Sequence, residues 1–311
     1  MVVKVGAYTS LTPIIIRTVT NLHIGVGQTA GLVDLPIQRD SLGFPNIPAS
    51  SIKGVLRSHV FKSCEKCEKA IFGSRPEERE TFTGALAVLD AILLAFPARS
   101  LKGVYCHVTS PLLLERAISY LSLLGEDSEH VRVIRDILEK VEPREDQAFT
   151  NEEVAKLIGI NGNVILNEEY TLKLEKNESV SDLINLFSRR LDMKKLVIVN
   201  DDIALALVDR GLIRTYRIRL KPETKTVETG GLWSEEYVPR DTIFLTIFLY
   251  SNLRVPNNKR CEEHLKNGKD SEVKKRIEEL CLKQNQGYLI FGGHETIGYG
   301  LVKLLKWEVR E

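Results

Sequence analysis

An α+β fold built on an antiparallel sheet is predicted by three features of the sequence. The elements run strand, helix, strands, helices, strands, helix, strands. The late glycine-rich loop, residues 291–300, is followed by strand-like residues, whereas a dinucleotide-binding parallel sheet would place a helix there. No tandem repeat, low-complexity tract or clear linker interrupts the chain. This order fits a ferredoxin-like core carrying inserted elements, with the central stretch of about 110–209 forming a lobe of its own.

Residues 2–8 alternate enough to open the chain as a strand. Residues 11–48 are rich in Gly, Pro and Thr. A loop of that length in a compact domain is functional or disordered, and its scattered specific side chains favour function. A helix over 50–62 follows Pro48, with Ser50 or Ser51 as N-cap and Val55, Leu56, Val60 and Phe61 on its apolar face. Strands are expected at 84–96 and 104–108, then helices at 111–124 and 131–141. Asn161-Gly162-Asn163 turns the chain into a short hairpin reaching Leu174, and 181–191 is helical. Strong strands at 214–220 and 242–250 flank a polar, glycine-containing segment. A charged amphipathic helix over 261–283 precedes closing strands at 288–291 and 301–309.

The 311 residues, 43% hydrophobic and 27% charged, can bury a real core. With 43 basic against 42 acidic residues the net charge is +1, which excludes a uniformly basic coat; nucleic-acid contacts would have to be local patches. Residues 1–6 lack a secretory leader, and the longest apolar stretch, 84–98, is broken by Asp90 and Pro97 and is too short to span a bilayer. A cytoplasmic protein without membrane contact is therefore expected. The five cysteines do not make a disulfide framework. Cys64 and Cys67 form one C-x-x-C; zinc needs four ligands, His59 offers one more, and no fourth is evident, so two half-exposed helix cysteines are expected.

Five segments have the composition of working surfaces. The first holds Gly25, Gly27 and Gly31 with His23, Asp34, Arg39 and Asp40; a glycine-rich turn with Asp34 capping an amide fits it equally. The second is the start of the helix after Pro48. Helix N-terminal amides, Ser50, Ser51 and Lys53 suit a phosphate, with Arg57 one turn on; an N-cap with solvated basic residues also fits. In the third, six basic residues lie between Arg210 and Lys225 with Glu223 as the only acid. Strand alternation points Thr215, Arg217 and Arg219 one way and Tyr216 and Ile218 the other, either as a track for RNA or as a charged sheet edge. The fourth places Gly230 and Gly231 beside Trp233, Glu235, Glu236 and Tyr237. Its acids suit a metal or a proton and its aromatics suit base stacking, unless it is a tight hairpin with a core tryptophan. The fifth, with Gly292, Gly293, Gly298 and Gly300, can cradle a nucleic-acid backbone through its amides or simply turn between two strands.

The glycine loop reaching Asp34, the run GFPNIPASSIKGVLRS and the late loop FGGHETIGYGLVK together resemble the RAMP superfamily. The segments GLVDLPIQRD, FPARSLKGVYCHVTSP and TVETGGLWSEEYVPRDT are similar to the repeated backbone subunit of the type III-B CRISPR Cmr complex. The resemblance covers nearly the whole chain and is weakest over 62–83 and 250–285. It implies a single domain, 1–311, with a ferredoxin-like, RRM-like palm (1–109 and 242–311), an inserted helical lobe (about 110–209) and a β-hairpin thumb (about 217–241). It implies copies stacked in a filament along a CRISPR guide RNA, alongside other Cmr subunits. The thumb would flip out a nucleotide of a single-stranded target RNA, which is cut nearby. Asp34 matches the aspartate needed for cutting, His23 a histidine of the same loop, and Glu235 or Glu236 the thumb acids. Ser50, Ser51 and Lys53 match guide-backbone contacts. A transient divalent ion, Mg2+ or Mn2+, on Asp34 is expected. A non-catalytic RNA scaffold and a stand-alone RAMP endonuclease processing CRISPR precursor RNA are the alternatives.

Overall fold

The computed structural model describes residues 4–29, 31–75, 77–78, 80–188, 191, 193–256, 260–261 and 264–307. After β1 (Tyr8–Thr18) and a long loop come α1 (Ala49–Ser63), α2 (Glu65–Phe72), β2 (Leu86–Val88), β3 (Ile92–Ser100) and β4 (Val104–Thr109). The middle of the chain alternates through α3 (Pro111–Leu121), α4 (Glu129–Lys140), β5 (Gln147–Thr150), α5 (Glu152–Ile158), β6 (Asn163–Leu166), β7 (Tyr170–Lys176), α6 (Ser179–Ser188), β8 (Leu196–Val199) and α7 (Asp201–Gly211). A hairpin of β9 (Ile213–Leu220) and β10 (Val227–Tyr237) precedes β11 (Ile243–Ser251). The chain ends with α8 (Asp270–Ile277), a π-helical turn at Glu278–Lys283, β12 (Tyr288–Ile290) and β13 (Leu301–Lys306).

The fold is α+β. One sheet runs β12-β13-β1-β11-β3-β4-β8-β5-β7-β6, and its centre, β13-β1-β11-β3, is antiparallel. β6 returns to β3 at Leu166 and Ser100, so that end of the sheet curls back on itself. The hairpin β9–β10 forms a separate two-stranded sheet.

Two cores lie on opposite faces of the central strands. Ile14 and Ile16 of β1 and Phe244 and Phe248 of β11 pack with α1, α2 and α8. Ile15, Ile243 and Leu245 pack with the inserted elements and Trp307. Because both faces are covered, every residue of β11 is buried, and its sequence reads as an unbroken apolar run.

Several sequence expectations are corrected by this packing. The opening strand begins at Tyr8, whereas it was expected over 2–8; residues 2 and 3 lie outside the described residues. Residues 11–18, expected to be loop, form most of that central strand. Pro13 does not break the strand: it pairs with Ile247, and the β13 partners begin only at Ile14, so its missing N–H removes no β13 ladder bond. The strand expected over 84–96 is split. β2 and β3 pair successive stretches of β11, and Asp90 between them turns to accept the Ala49 amide at 2.6 Å. The stretch 110–209, expected as a helical lobe with one hairpin reaching Leu174, holds that hairpin as β6–β7 and adds β5 and β8, and all four strands extend the main sheet. Three of these strands have only four residues, too few to show a period. The helix expected over 261–283 starts at Asp270, after a turn closed by Leu265 N–H to Cys261 O (2.8 Å). The expected end of the last strand, 308–309, and residues 189 and 190 of the helix expected over 181–191, lie outside the described residues, as do residues 262–263. No helix among the described residues is long and apolar enough to cross a membrane.

Candidate functional site

The loop after β1 folds back against the base of the hairpin. Leu35 N–H donates to Ser234 O (3.0 Å) and Glu236 N–H to Leu35 O (3.1 Å), so residues 34–36 run beside β10. This brings Asp34 onto Ser234. Asp34 Oδ2 accepts the Ser234 amide at 2.7 Å and its hydroxyl at 2.8 Å, while Asp34 N–H donates back to Ser234 Oγ at 3.0 Å. The Ser234 amide first, and then its hydroxyl, hold the Asp34 carboxyl below its ordinary value. Asp34 is thus a half-exposed carboxylate clamped through one oxygen; among the described residues no hydrogen bond is recorded to Oδ1. Leu32, at the tip of the same loop, is fully exposed.

The other acids have a different role. Glu235, 1% exposed, accepts from Trp233 Nε1 (2.6 Å), Arg217 Nε (3.0 Å) and the Tyr237 hydroxyl, and His294 Nε2 stands 3.3 Å away. Burial opposes its charge, but the bonds from Tyr237, Trp233 and Arg217 outweigh that and bring its pKa down to about 2. Glu236, 2% exposed, is bound through Oε1 by Arg39 (3.0 Å) and Arg214 (3.1 Å), both also paired with Asp209. Both were expected to hold a metal or move a proton. Their oxygens are engaged by protein donors, Trp233, Arg217 and Tyr237 on Glu235 and the half-exposed Arg39 and exposed Arg214 on Glu236, which ties both acids into the hairpin base. Tyr237, expected to stack on bases, is 1% exposed and sits against Tyr299 at 4.9 Å between ring centres. His23, 8% exposed, donates from Nδ1 to Glu236 O (2.8 Å) and packs against Tyr237 and His294, which fastens its loop to the hairpin base.

The basic residues sort in the same way. Arg217 is committed to Glu235 and Tyr237 and is no part of an open basic face. Arg39 spans Glu236, Asp209 and Gly43 O. Arg57 turns inward to Glu68 and Gly73 O, tying α1 to α2, so it does not continue a surface from Lys53. Arg219, 68% exposed, lies over the half-exposed Trp233 ring at 5.9 Å, and Tyr216, Ile218 and Leu232 are exposed as well. By strand alternation Arg219 and Trp233 share one face of the hairpin with Arg217, and Tyr216, Ile218 and Leu232 share the other.

At the start of α1 neither serine is the N-cap: Pro48 holds that position, and Ser50 and Ser51 are inside the helix. Asp90 takes the Ala49 amide, and Ser51 and Ile52 donate to Pro48 O. What remains for a ligand is the exposed Ser50, the half-exposed Ser51 and the half-buried Lys53, whose pKa is lowered by desolvation and then by Arg57. The late glycines do not form an amide cradle. The N–H groups of Gly293, Gly298 and Gly300 go to His23 O, Glu295 O and Asn21 O. Gly292 (φ 73°) and Gly300 (φ 80°) are needed for packing, since a Cβ at either would come within 2.1 Å of a carbonyl oxygen.

Ser234 and His294 were not singled out from the sequence. Ser234 had one visible signal, its place beside two acids between Trp233 and Tyr237; His294 had none beyond its glycine-rich surroundings.

A carboxylate clamped at the base of an exposed hairpin, on an α+β sheet, defines a class. The chain belongs to the RAMP superfamily, which it matches over residues 15–303. Within that superfamily its relatives are Cmr4 subunits. It is 36% identical over 306 residues, 94% of each chain, to the CRISPR system Cmr endoribonuclease Cmr4 of Pyrococcus furiosus. It is 32% identical over 328 residues, 96% of this chain and 97% of the relative, to the CRISPR system CMR subunit Cmr4 of Saccharolobus solfataricus. A chain of the type III-B Cmr-beta cryo-EM structure bound to cognate target RNA overlaps it with a TM-score of 0.76, at 33% identity over 97% of this chain and 98% of the other. The crystal structure of oligomeric Cmr4 from Pyrococcus furiosus overlaps with a TM-score of 0.66, at 29% identity over 96% and 99%.

Proposed function

We propose that this chain is a repeated backbone subunit of a type III-B CRISPR complex, binding guide RNA and cleaving the paired target RNA beside Asp34. The single observation that carries this is the clamp of Asp34 to Ser234, which fixes a half-exposed carboxylate at the root of the hairpin. In this reading β13-β1-β11-β3 with α1 and α8 is the ferredoxin-like palm, β9–β10 is the thumb, and copies stack along the guide with other Cmr subunits. Exposed Tyr216, Ile218 and Leu232, with the half-exposed Trp233 on the other face, give the thumb the apolar and aromatic surface that a wedge between bases requires.

RNA supplies its own nucleophile, the 2′-OH. A nucleotide displaced by the thumb bends its backbone towards in-line attack, and positioning of this kind contributes much of a rate. Asp34 faces the reaction as an anion throughout the neutral range. Glu235 and Glu236 stiffen the thumb root, and so keep Ser234 and Asp34 in place.

A resident metal cage does not fit Asp34, because the neighbouring acids are saturated by arginines and hydrogen bonds. One carboxylate suits a Mg2+ or Mn2+ ion brought with the RNA and held otherwise by phosphate and water, and such an ion would offset the charge developing on phosphorus.

The test is to express the chain with its operon partners and examine the RNA that copurifies. Short RNAs sharing a fixed 5′ segment, together with cutting of a complementary RNA at regular spacing, are expected. A chain that cuts CRISPR precursor RNA by itself sinks the reading in favour of a stand-alone nuclease.

Lys53→Ala is expected to weaken guide binding about equally for all sequences and to lower the salt slope of log K by about 1, as measured by filter binding over a salt series. A sequence-dependent loss would contradict a backbone contact. Ser234→Ala removes the hydroxyl bond to Asp34 but keeps the amide. The Asp34 carboxyl should rise toward its ordinary value, moving the acid limb of the cleavage pH profile to higher pH. An unmoved limb would show that Asp34 does not govern it.

A further inference from the structure

We propose that Cys64, Cys67, Cys261 and His264 bind a structural zinc ion that fastens the end of α1 to the segment following β11. The three sulfurs converge from positions 194 or more residues apart: Cys67 Sγ lies 3.1 Å and Cys64 Sγ 3.8 Å from Cys261 Sγ. Three Cys ligand atoms lie within 4.8 Å of one another, the one such group of His, Cys, Asp or Glu among the described residues. A tetrahedral zinc with Zn–S bonds of about 2.3 Å sets neighbouring sulfurs roughly 3.8 Å apart, the spacing of Cys64 and Cys261 here, while Cys67 Sγ stands closer to both and would move outward on binding the ion. Cys67 is fully buried and Cys261 is 6% exposed, so the cluster is not a chance meeting of surface thiols.

The fourth ligand is assigned by sequence spacing; the His264 ring lies outside the converging group in this structure and would turn in to complete it. Cys64-x-x-Cys67 is matched by Cys261-x-x-His264, and the chain from Cys261 wraps in a turn, with His264 N–H and Leu265 N–H both donating to Cys261 O. The Cys67 amide points at Cys64 Sγ (3.3 Å), the bond that stabilises charge on a ligating sulfur.

The structure joins Cys64 and Cys67 as a disulfide, which competes for the same sulfurs. Starting from the reduced chain, three thiols bind Zn2+ and release three protons, with no electron transferred. Cys106 and Cys281 are buried elsewhere and take no part.

The test is metal analysis of the full chain, purified with a reductant and without chelator. One zinc per chain is expected, lost in Cys261→Ser, reduced in His264→Ala and unchanged in Cys106→Ser. Cobalt exchanged into the wild-type protein should show thiolate-to-metal charge-transfer absorption. Chelation should lower the melting temperature of the wild type. Should Cys261→Ser fail to fold, the zinc content and cobalt spectrum of the wild type still decide. No zinc in the reduced wild-type protein, or cobalt bound without thiolate bands, overturns the proposal and leaves a plain disulfide pair.

Discussion

Asp34→Asn is expected to abolish cutting of a guide-paired target RNA while leaving guide binding intact. The substitution is nearly isosteric. The Ser234 amide and hydroxyl can still donate to the amide oxygen of the new side chain, so the loop should keep its place beside β10. What is removed is the negative charge. A side chain that handles a proton in the transition state is worth about 10²–10⁴-fold in rate, and loss of that size is expected in single-turnover cleavage of a labelled target. Guide affinity should stay within about twofold, because the proposed guide contacts are Ser50, Ser51 and Lys53 in α1 and not this loop. Unchanged cleavage would remove Asp34 from the chemistry and favour an RNA scaffold without catalytic residues here. Loss of guide binding would mean that the loop is structural.

The second large effect is expected at Glu235. Its carboxylate gathers Trp233, Arg217 and Tyr237 of the hairpin and His294 of the C-terminal loop. Glu235→Ala leaves those donors facing a buried gap, and breaking a buried ion pair typically costs about 3–5 kcal/mol. The pH dependence has a definite sign. The folded pKa, about 2, lies below the value in the unfolded chain. The stabilisation is therefore fully present above the ordinary glutamate range and is lost as pH falls toward 2. Denaturation midpoints measured between pH 7 and pH 2 should fall more steeply for the wild type than for Glu235→Gln, which has no proton to take up. Parallel curves would show that Glu235 is not the group responsible. Since Ser234 precedes Glu235 directly, the variants should also slow cleavage through a loosened Asp34.

The two residues make a general point about legibility. Asp34 stood out in the sequence because a carboxylate interrupts an apolar run in a glycine-rich loop, and its resemblance to the RAMP pattern supplied a role. Its partner Ser234 is 200 residues away, and nothing local to either residue encodes that pairing. Glu235 and Tyr237 look like exposed loop chemistry in one dimension. In three dimensions they are buried, because the C-terminal glycine loop and the loop after β1 both close over them. Alternation correctly placed Tyr216 and Ile218 opposite Arg217. It could not say that the apolar side faces solvent, since that depends on what packs beneath the hairpin.

The amino-acid sequence by itself determined the α+β class, helix α1, the strong strands β9 and β11 and the membership in the RAMP superfamily. These rest on local periodicity, capping chemistry and runs of matching residues, all of which act over a few positions. Only the tertiary structure decided that residues 11–18 are a central strand, that 110–209 extends the sheet, that the hairpin acids are held by arginines, and that Cys261 meets Cys64 and Cys67. Each of those depends on burial and on contacts between segments distant along the chain, and those contacts exist only once the two cores have closed.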